Sequence, residues 1–398
     1  MVTRMVGTIR YTFALLALVA GQAFAQEEIK IGYNADQSGT GAAELGVAGR
    51  HGFEAAIDDL NKAGGIAGRK VVGIVRDDTG QPPKSIQNMN ELIDSEKVVA
   101  VVGPVNSGNA LAWLHIPQQK RIPVVVPIAT ATEITRRYAN EPQNYIFRIS
   151  MADREQVALL MAYAVKASKG KKIAFIADST GFGQQGVKDL TEVLALHQMS
   201  PVAVEKFNPK DTDMTSQLSK IREAGADTLI VYGLADANAQ LLRSMEKINY
   251  FPVTLGTWGN MSTPLLNIAG KKLAEHIIFA ASTTEDSNPR AKALGKRVRE
   301  KYPTLATFVT AAQSYDAVML LATAIKQAGT TDGAKVQAAL ENLDTVQGIV
   351  KTYSKPFSRS SHEGLGVADF HLARWKDGVV VPYTDAVTKS ITTADLKK

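Results

Sequence analysis

From residue 29 to residue 255 the sequence alternates short apolar runs with longer stretches of helical periodicity. Segments 29–35, 71–75, 98–102 and 123–127 read as strands, and 43–63, 83–96 and 107–119 as helices. In the first helix Leu45, Ala48, Phe53, Ala56, Ile57 and Leu60 recur close to helical spacing. In the second a proline stands near the start, where its missing N–H costs nothing. The pattern restarts at Tyr145. Helices over 153–167, 182–197, 214–224 and 236–248 alternate with strands over 172–177, 202–207, 228–232 and 253–255. Strands apolar along their whole length belong in parallel sheets buried on both faces. Two such runs predict an α/β fold of two doubly wound lobes, each a parallel sheet covered by helices.

The last third departs from the alternation. Segments 289–301, 310–328 and 335–343 read as helices, and 367–375 with 379–383 as a β-hairpin around Lys376-Asp377-Gly378. These elements are expected to complete the two lobes, since they carry no separate sheet.

Residues 1–25 read as an export label. Arg4 and Arg10 are the only charges before Glu27, residues 11–20 are apolar, and Ala23-Phe24-Ala25 puts small residues where a signal peptidase reads. The apolar run falls short of the ~20 residues that span a bilayer. Cleavage is expected after Ala25, giving a soluble periplasmic protein. No later stretch reads as transmembrane.

Composition then removes whole classes of function. The 398 residues include no cysteine, which excludes disulfide scaffolds, thiolate zinc sites and thiol nucleophiles. A net charge of +6, from 45 Lys and Arg against 39 Asp and Glu, is too slight for a dedicated nucleic-acid binder. His51, His115, His197, His276, His362 and His371 show no ligand spacing, and no hydrolase or zinc-protease motif is present, so no metal is expected.

Gly181-Phe182-Gly183-Gln184-Gln185-Gly186 matches the dinucleotide pattern G-x-G-x-x-G, with Glu205 at the end of the next strand. Three residues separate it from its strand, however, and it lies outside the first strand–helix–strand unit. A glycine-permitted loop that lets backbone approach a ligand is the simpler reading, and no cofactor is expected.

The block AAIDDLNKAGGIAGRKVVGIVRDDTGQPPKSI, followed in order by VVGPVNSG, IPVVVPIATATEIT, STGFGQQGV and QSYDAVMLLATAI, resembles the type I periplasmic binding proteins. The similarity is greatest to the leucine/isoleucine/valine-binding branch serving ABC importers, and it covers residues 27–385. It implies two lobes joined by three crossing strands. Residues 26–147 with about 281–352 would form one lobe, and 148–280 with about 353–398 the other. It also implies a monomer that captures a small carboxylate-bearing ligand by lobe closure and docks on a membrane permease, without catalysis. A sensor of the same fold, or an exported enzyme, is the alternative. The enzyme would need a nucleophile or acid–base pair that the sequence does not offer.

The resemblance places the ligand carboxylate on Ser107, Ala129 and Thr130. Ser107 opens a predicted helix, whose free N–H groups favour an anion; by itself it also reads as an ordinary N-cap. Phe182 occupies a position where relatives often carry a cleft-facing Tyr, and Tyr315 one beside the first lobe's cleft, although both also suit packing. Relatives that bind amino acids place an acidic residue for the ammonium where Trp258 stands here. Asp236 is the substitute candidate, or a helix cap. Trp258 could instead wall an aromatic or other bulky acid. The pair of cysteines that some relatives carry is absent from Asp78-Thr79-Gly80 and Val105-Asn106.

Overall fold

The computed structural model describes residues 27–303 and 307–398; the expected export label lies outside the described residues. The first sheet contains β1 (Ile29–Ala35), β2 (Val71–Asp77), β3 (Ala100–Val102), β4 (Val124–Val126) and β5 (Ile146–Arg148), in the order β2-β1-β3-β4-β5 with every pair parallel. The second contains β6 (Ile173–Asp178), β7 (Ala203–Phe207), β8 (Thr228–Tyr232), β9 (Val253–Gly256) and β10 (Ile277–Ala281). Their order is β7-β6-β8-β9-β10, the same winding. A short antiparallel pair, β11 (Val346–Gln347) and β12 (Thr352–Tyr353), follows. The hairpin β13 (His371–Lys376) and β14 (Val379–Pro382) then adds antiparallel to β10. The second sheet is therefore mixed, where the sequence predicts a wholly parallel one.

Burial explains the strand assignments. Every residue of β3, β4, β5, β6, β8 and β10 is buried, and each strand reads as an unbroken apolar or nearly apolar run. The sequence reading misses one unit, the helix Thr263–Ala274 with β10 behind it. Gly270 breaks that helix with a φ of 81°, so its apolar periodicity is interrupted at the point where it would become visible. The predicted helix over 107–119 is two short helices, Ser107–Trp113 and His115–Lys120. The helix Phe308–Ala328 is long and apolar enough to cross a bilayer, which corrects the expectation from sequence. Of its most apolar 18-residue window 89% is buried, however, and it serves as a core helix packed along the helix Ala43–Lys62.

The chain passes between the sheets after β5, after β10 and after β12. The first and third connections lie side by side: the Arg148 N–H donates to the His362 carbonyl at 2.9 Å, and the Gly364 N–H to the Arg148 carbonyl at 2.8 Å. The lobes also touch away from these connections. The Thr132 hydroxyl donates to Asp189 at 2.8 Å, and the Thr263 hydroxyl to Glu44 at 2.6 Å. Thr307 donates to the same Glu44 carboxylate.

Candidate functional site

In sheets wound in this order, connections leave toward opposite faces on either side of one strand pair, and a crevice opens there at the carboxyl ends. The switch falls between β1 and β3 in the first lobe and between β6 and β8 in the second. The two crevices face each other. Between them lies a cavity of about 690 Å³, walled by the loops after β1, β2, β3, β4, β6, β7, β8 and β9. That volume is in the range of small-molecule sites.

Five of the seven candidate residues line this cavity: Ser107, Thr130, Phe182, Asp236 and Trp258. Ser107 is only 2% exposed. It is the first helical residue after Asn106, and its side chain does not cap its own helix. Instead its Oγ accepts the N–H groups of Thr130 and Ala131 at 3.3 and 3.1 Å. On the second lobe the Phe182 ring packs on Tyr232 at 4.9 Å between centroids. Trp258 is 4% exposed, and its backbone N–H donates to Gln156 Oε1 at 3.1 Å.

Asp236 sits in the first turn of the helix Ala235–Lys247, two residues past the N-cap position, which Leu234 occupies. Burial raises its carboxyl pKa, against the nearby backbone N–H groups of Ala237 and of Asp236 itself. The carboxylate reaches the opposite lobe, where a Cβ on Gly41 would lie 2.2 Å from its Oδ2. Among the cavity-lining residues Asp236 is the one carboxylate and Lys210 the one cation; the other side chains are mostly apolar.

Ala129 and Tyr315 do not line the cavity. The Ala129 N–H donates to the Pro104 carbonyl at 3.2 Å, and its carbonyl accepts from Ser150 at 2.8 Å, so its backbone is committed at both ends. The Tyr315 hydroxyl donates to Asp59 at 2.9 Å, and Asp59 also takes Arg297 at 2.6 Å, on the helix pair of the first lobe. Helical periodicity placed Tyr315 on a buried face without saying which neighbour that face meets.

The glycine motif has a structural explanation. A Cβ on Gly183 would fall 2.0 Å from the Asp178 carbonyl oxygen, and one on Gly186 would fall 2.1 Å from the Tyr232 ring. Gly181 faces Gly108 across the cleft, where its Cβ would stand 3.1 Å from the Gly108 Cα. The first two glycines pack helix on sheet, and the last pair sets how near the lobes come.

A family model for periplasmic binding proteins matches residues 28–379. The chain belongs to the periplasmic binding protein family. Within that family it is 28% identical over 372 residues to Leu/Ile/Val-binding protein homolog 3 of Brucella melitensis, covering 92% of this chain and 97% of that one. The crystal structure of a type 1 periplasmic binding protein from Bordetella pertussis superposes with a TM-score of 0.79 at 26% identity, over 90% of this chain and all of that one. The branched-chain amino acid transporter substrate binding protein LivJ of Streptococcus pneumoniae, solved with isoleucine, superposes with a TM-score of 0.75 at 24% identity, over the same shares. The type I fold expected from the sequence motifs is thus the fold observed. Family membership fits an arrangement with a cavity, polar poles and apolar walls; no group of three or more potential metal ligands occurs among the described residues.

Removing the Ser107 hydroxyl is expected to weaken binding of a carboxylate ligand about tenfold or more, the value of one hydrogen bond to a charged group. Titration calorimetry on Ser107→Ala checks this, and unchanged affinity would take Ser107 out of the site.

Proposed function

We propose that this protein is an exported solute-binding subunit of an ABC importer that captures an L-amino acid with a bulky apolar side chain. The observation that carries the reading is the cavity's polarity. A hydroxyl donor, Ser107, stands on one lobe, the single carboxylate, Asp236, on the other, and apolar walls lie between. An α-amino acid presents an anion and a cation on one carbon, and its side chain would lie against Phe182 and Trp258. Burial disfavours the Asp236 charge, and a ligand ammonium would compensate it. The names of relatives that bind leucine, isoleucine and valine support the same class.

The ligand would seat first on Ser107 and Thr130, and the second lobe would then close over it. Closure can shift only as far as the ligand binds the closed form better. The lobes would be residues 26–147 with about 281–352, and 148–280 with about 353–398. The closed monomer would dock on a membrane permease. The amino-terminal label supports delivery to the periplasm.

Trp258 favours a second reading, an aromatic carboxylate without an ammonium group. A thermal-shift series separates the two, since saturating ligand stabilises the folded state by about 2.7 kcal/mol at a hundred times Kd. Leucine, isoleucine, valine and phenylalanine are expected to raise the melting temperature, and benzoate to leave it unchanged. A shift with benzoate alone would reverse the assignment.

A further inference from the structure

The peptide unit joining Thr130 to Ala131 is held at both ends. Its N–H donates to Ser107 Oγ at 3.1 Å. Its carbonyl accepts from the Arg148 guanidinium at 2.7 Å and from the Asp153 N–H at 2.8 Å. With the Thr130 N–H also on Ser107 Oγ, both lone pairs of that hydroxyl are engaged, and what remains is its proton. No acceptor for the proton exists among the described residues, and the side chain lines the cavity. Ser107 is thereby fixed as a donor toward whatever occupies the cavity.

Arg148 is fully buried, and all five of its N–H groups are placed. Nε and Nη2 meet Glu363 at 2.8 and 2.5 Å, and Nη2 also meets the Thr135 hydroxyl at 3.4 Å. Nη1 divides between the Thr130 and Ala131 carbonyls, each at 2.7 Å. Glu363 stands in the third connection between the lobes, which pairs with the strand carrying Arg148.

We infer that Arg148 is a positioning residue for the ligand's acidic group, acting through the Thr130–Ala131 peptide, which it polarises and which aims the Ser107 hydroxyl. This rests on the function proposed above. A cation on an amide carbonyl strengthens the N–H at the other end, and hydrogen bonds in series reinforce one another by roughly 10–30% per bond. The ligand carboxylate thus gains from a positive charge that it never touches and that never enters the cavity. Through Glu363 the same charge is anchored to the paired connections, so the geometry of the grip depends on the segment about which the lobes move.

Two measurements on the full mature chain test the relay. Arg148→Met alone would leave Glu363 uncompensated and could unfold the protein, whereas replacing a buried pair together by apolar residues is usually tolerated. The working variants are the double change Arg148→Met with Glu363→Met, and Arg148→Lys as the conservative partner. In the ligand-free protein the Ala131 amide proton, followed by NMR, is expected to move upfield in the double variant and to recover in part in Arg148→Lys. In calorimetry L-leucine and L-phenylalanine are compared with their carboxamides, and the double variant is expected to lose about two- to fourfold of the preference for acid over amide. A purely structural pin would weaken acid and amide equally, and that result overturns the inference. An unmoved Ala131 amide proton overturns it as well. If the unaltered protein binds none of the four probes, the proposed function fails, and the ligand-free amide shift alone decides the relay.

Discussion

Asp236→Asn should abolish useful binding of an L-amino acid while leaving the ligand-free protein as stable as before or more so. Removing one partner of a buried, hydrogen-bonded charge pair costs about 2–5 kcal/mol, which is roughly thirtyfold in affinity or greater. The amide keeps the shape of the carboxylate, so the loss would report the charge and not the packing. Stability should move the other way. The Asp236 pKa is raised in the folded state, so the carboxylate lowers stability as pH rises from the ordinary carboxylate range through the folded value. The neutral amide removes that penalty at pH 7. Calorimetric titration with phenylalanine and leucine reads the first effect, and thermal melts at pH 7 read the second. Retained amino-acid affinity would mean that the ammonium has another partner and would remove Asp236 from the site.

Gly181→Val should act on closure and leave the fold alone. At this position even a Cβ would stand 3.1 Å from the Gly108 Cα, and the contact is backbone of one lobe against backbone of the other. Neither can give way unless the lobes part. The side chain lies at the start of the helix Gly181–Leu196, at the cavity wall, so the second lobe's core is not disturbed. If the binding-competent form becomes a minor population, apparent affinity falls in proportion; a drop of about tenfold or more is expected, with little change in the ligand-free melting temperature. Gly183→Val is the contrasting variant. Its Cβ meets the Asp178 carbonyl at 2.0 Å within one lobe, so it should destabilise the fold itself. Solution scattering with and without ligand, alongside melts of both variants, separates the two effects. Full closure of Gly181→Val with unchanged affinity would sink the idea that these glycines set the approach of the lobes.

Much of this architecture is visible in the residues. Parallel strands buried on both faces are written as continuous apolar runs, so β1, β6 and β8 could be placed within a residue or so from sequence. The unit containing β10 was hidden because Gly270 interrupts its helix. The cavity residues were legible for a topological reason: loops after successive strands collect at one end of each sheet, which brings Ser107, Thr130, Phe182, Asp236 and Trp258 together. Ala129 lies outside the cavity lining, and its backbone commitment could not be read from sequence because it depends on partners distant in the chain, here Pro104 and Ser150. Lys210 and Arg148 were missed for a related reason. Nothing in the sequence separates a lysine at a cavity wall from one in solvent, or a buried arginine from an exposed one, until the partners are known.

The helix Phe308–Ala328 closes the first lobe, yet it is encoded after the entire parallel part of the second sheet. Tyr315 and Asp59, which meet across that helix pair, are 256 residues apart in the chain. A polypeptide emerging from its amino terminus therefore cannot finish its first lobe before most of its second has been made. Until then the face of the helix Ala43–Lys62 that meets it has no partner, and exposed apolar surface of that kind invites aggregation. For the exported protein proposed above, this order of synthesis delays the segment that would lock the chain into a compact shape.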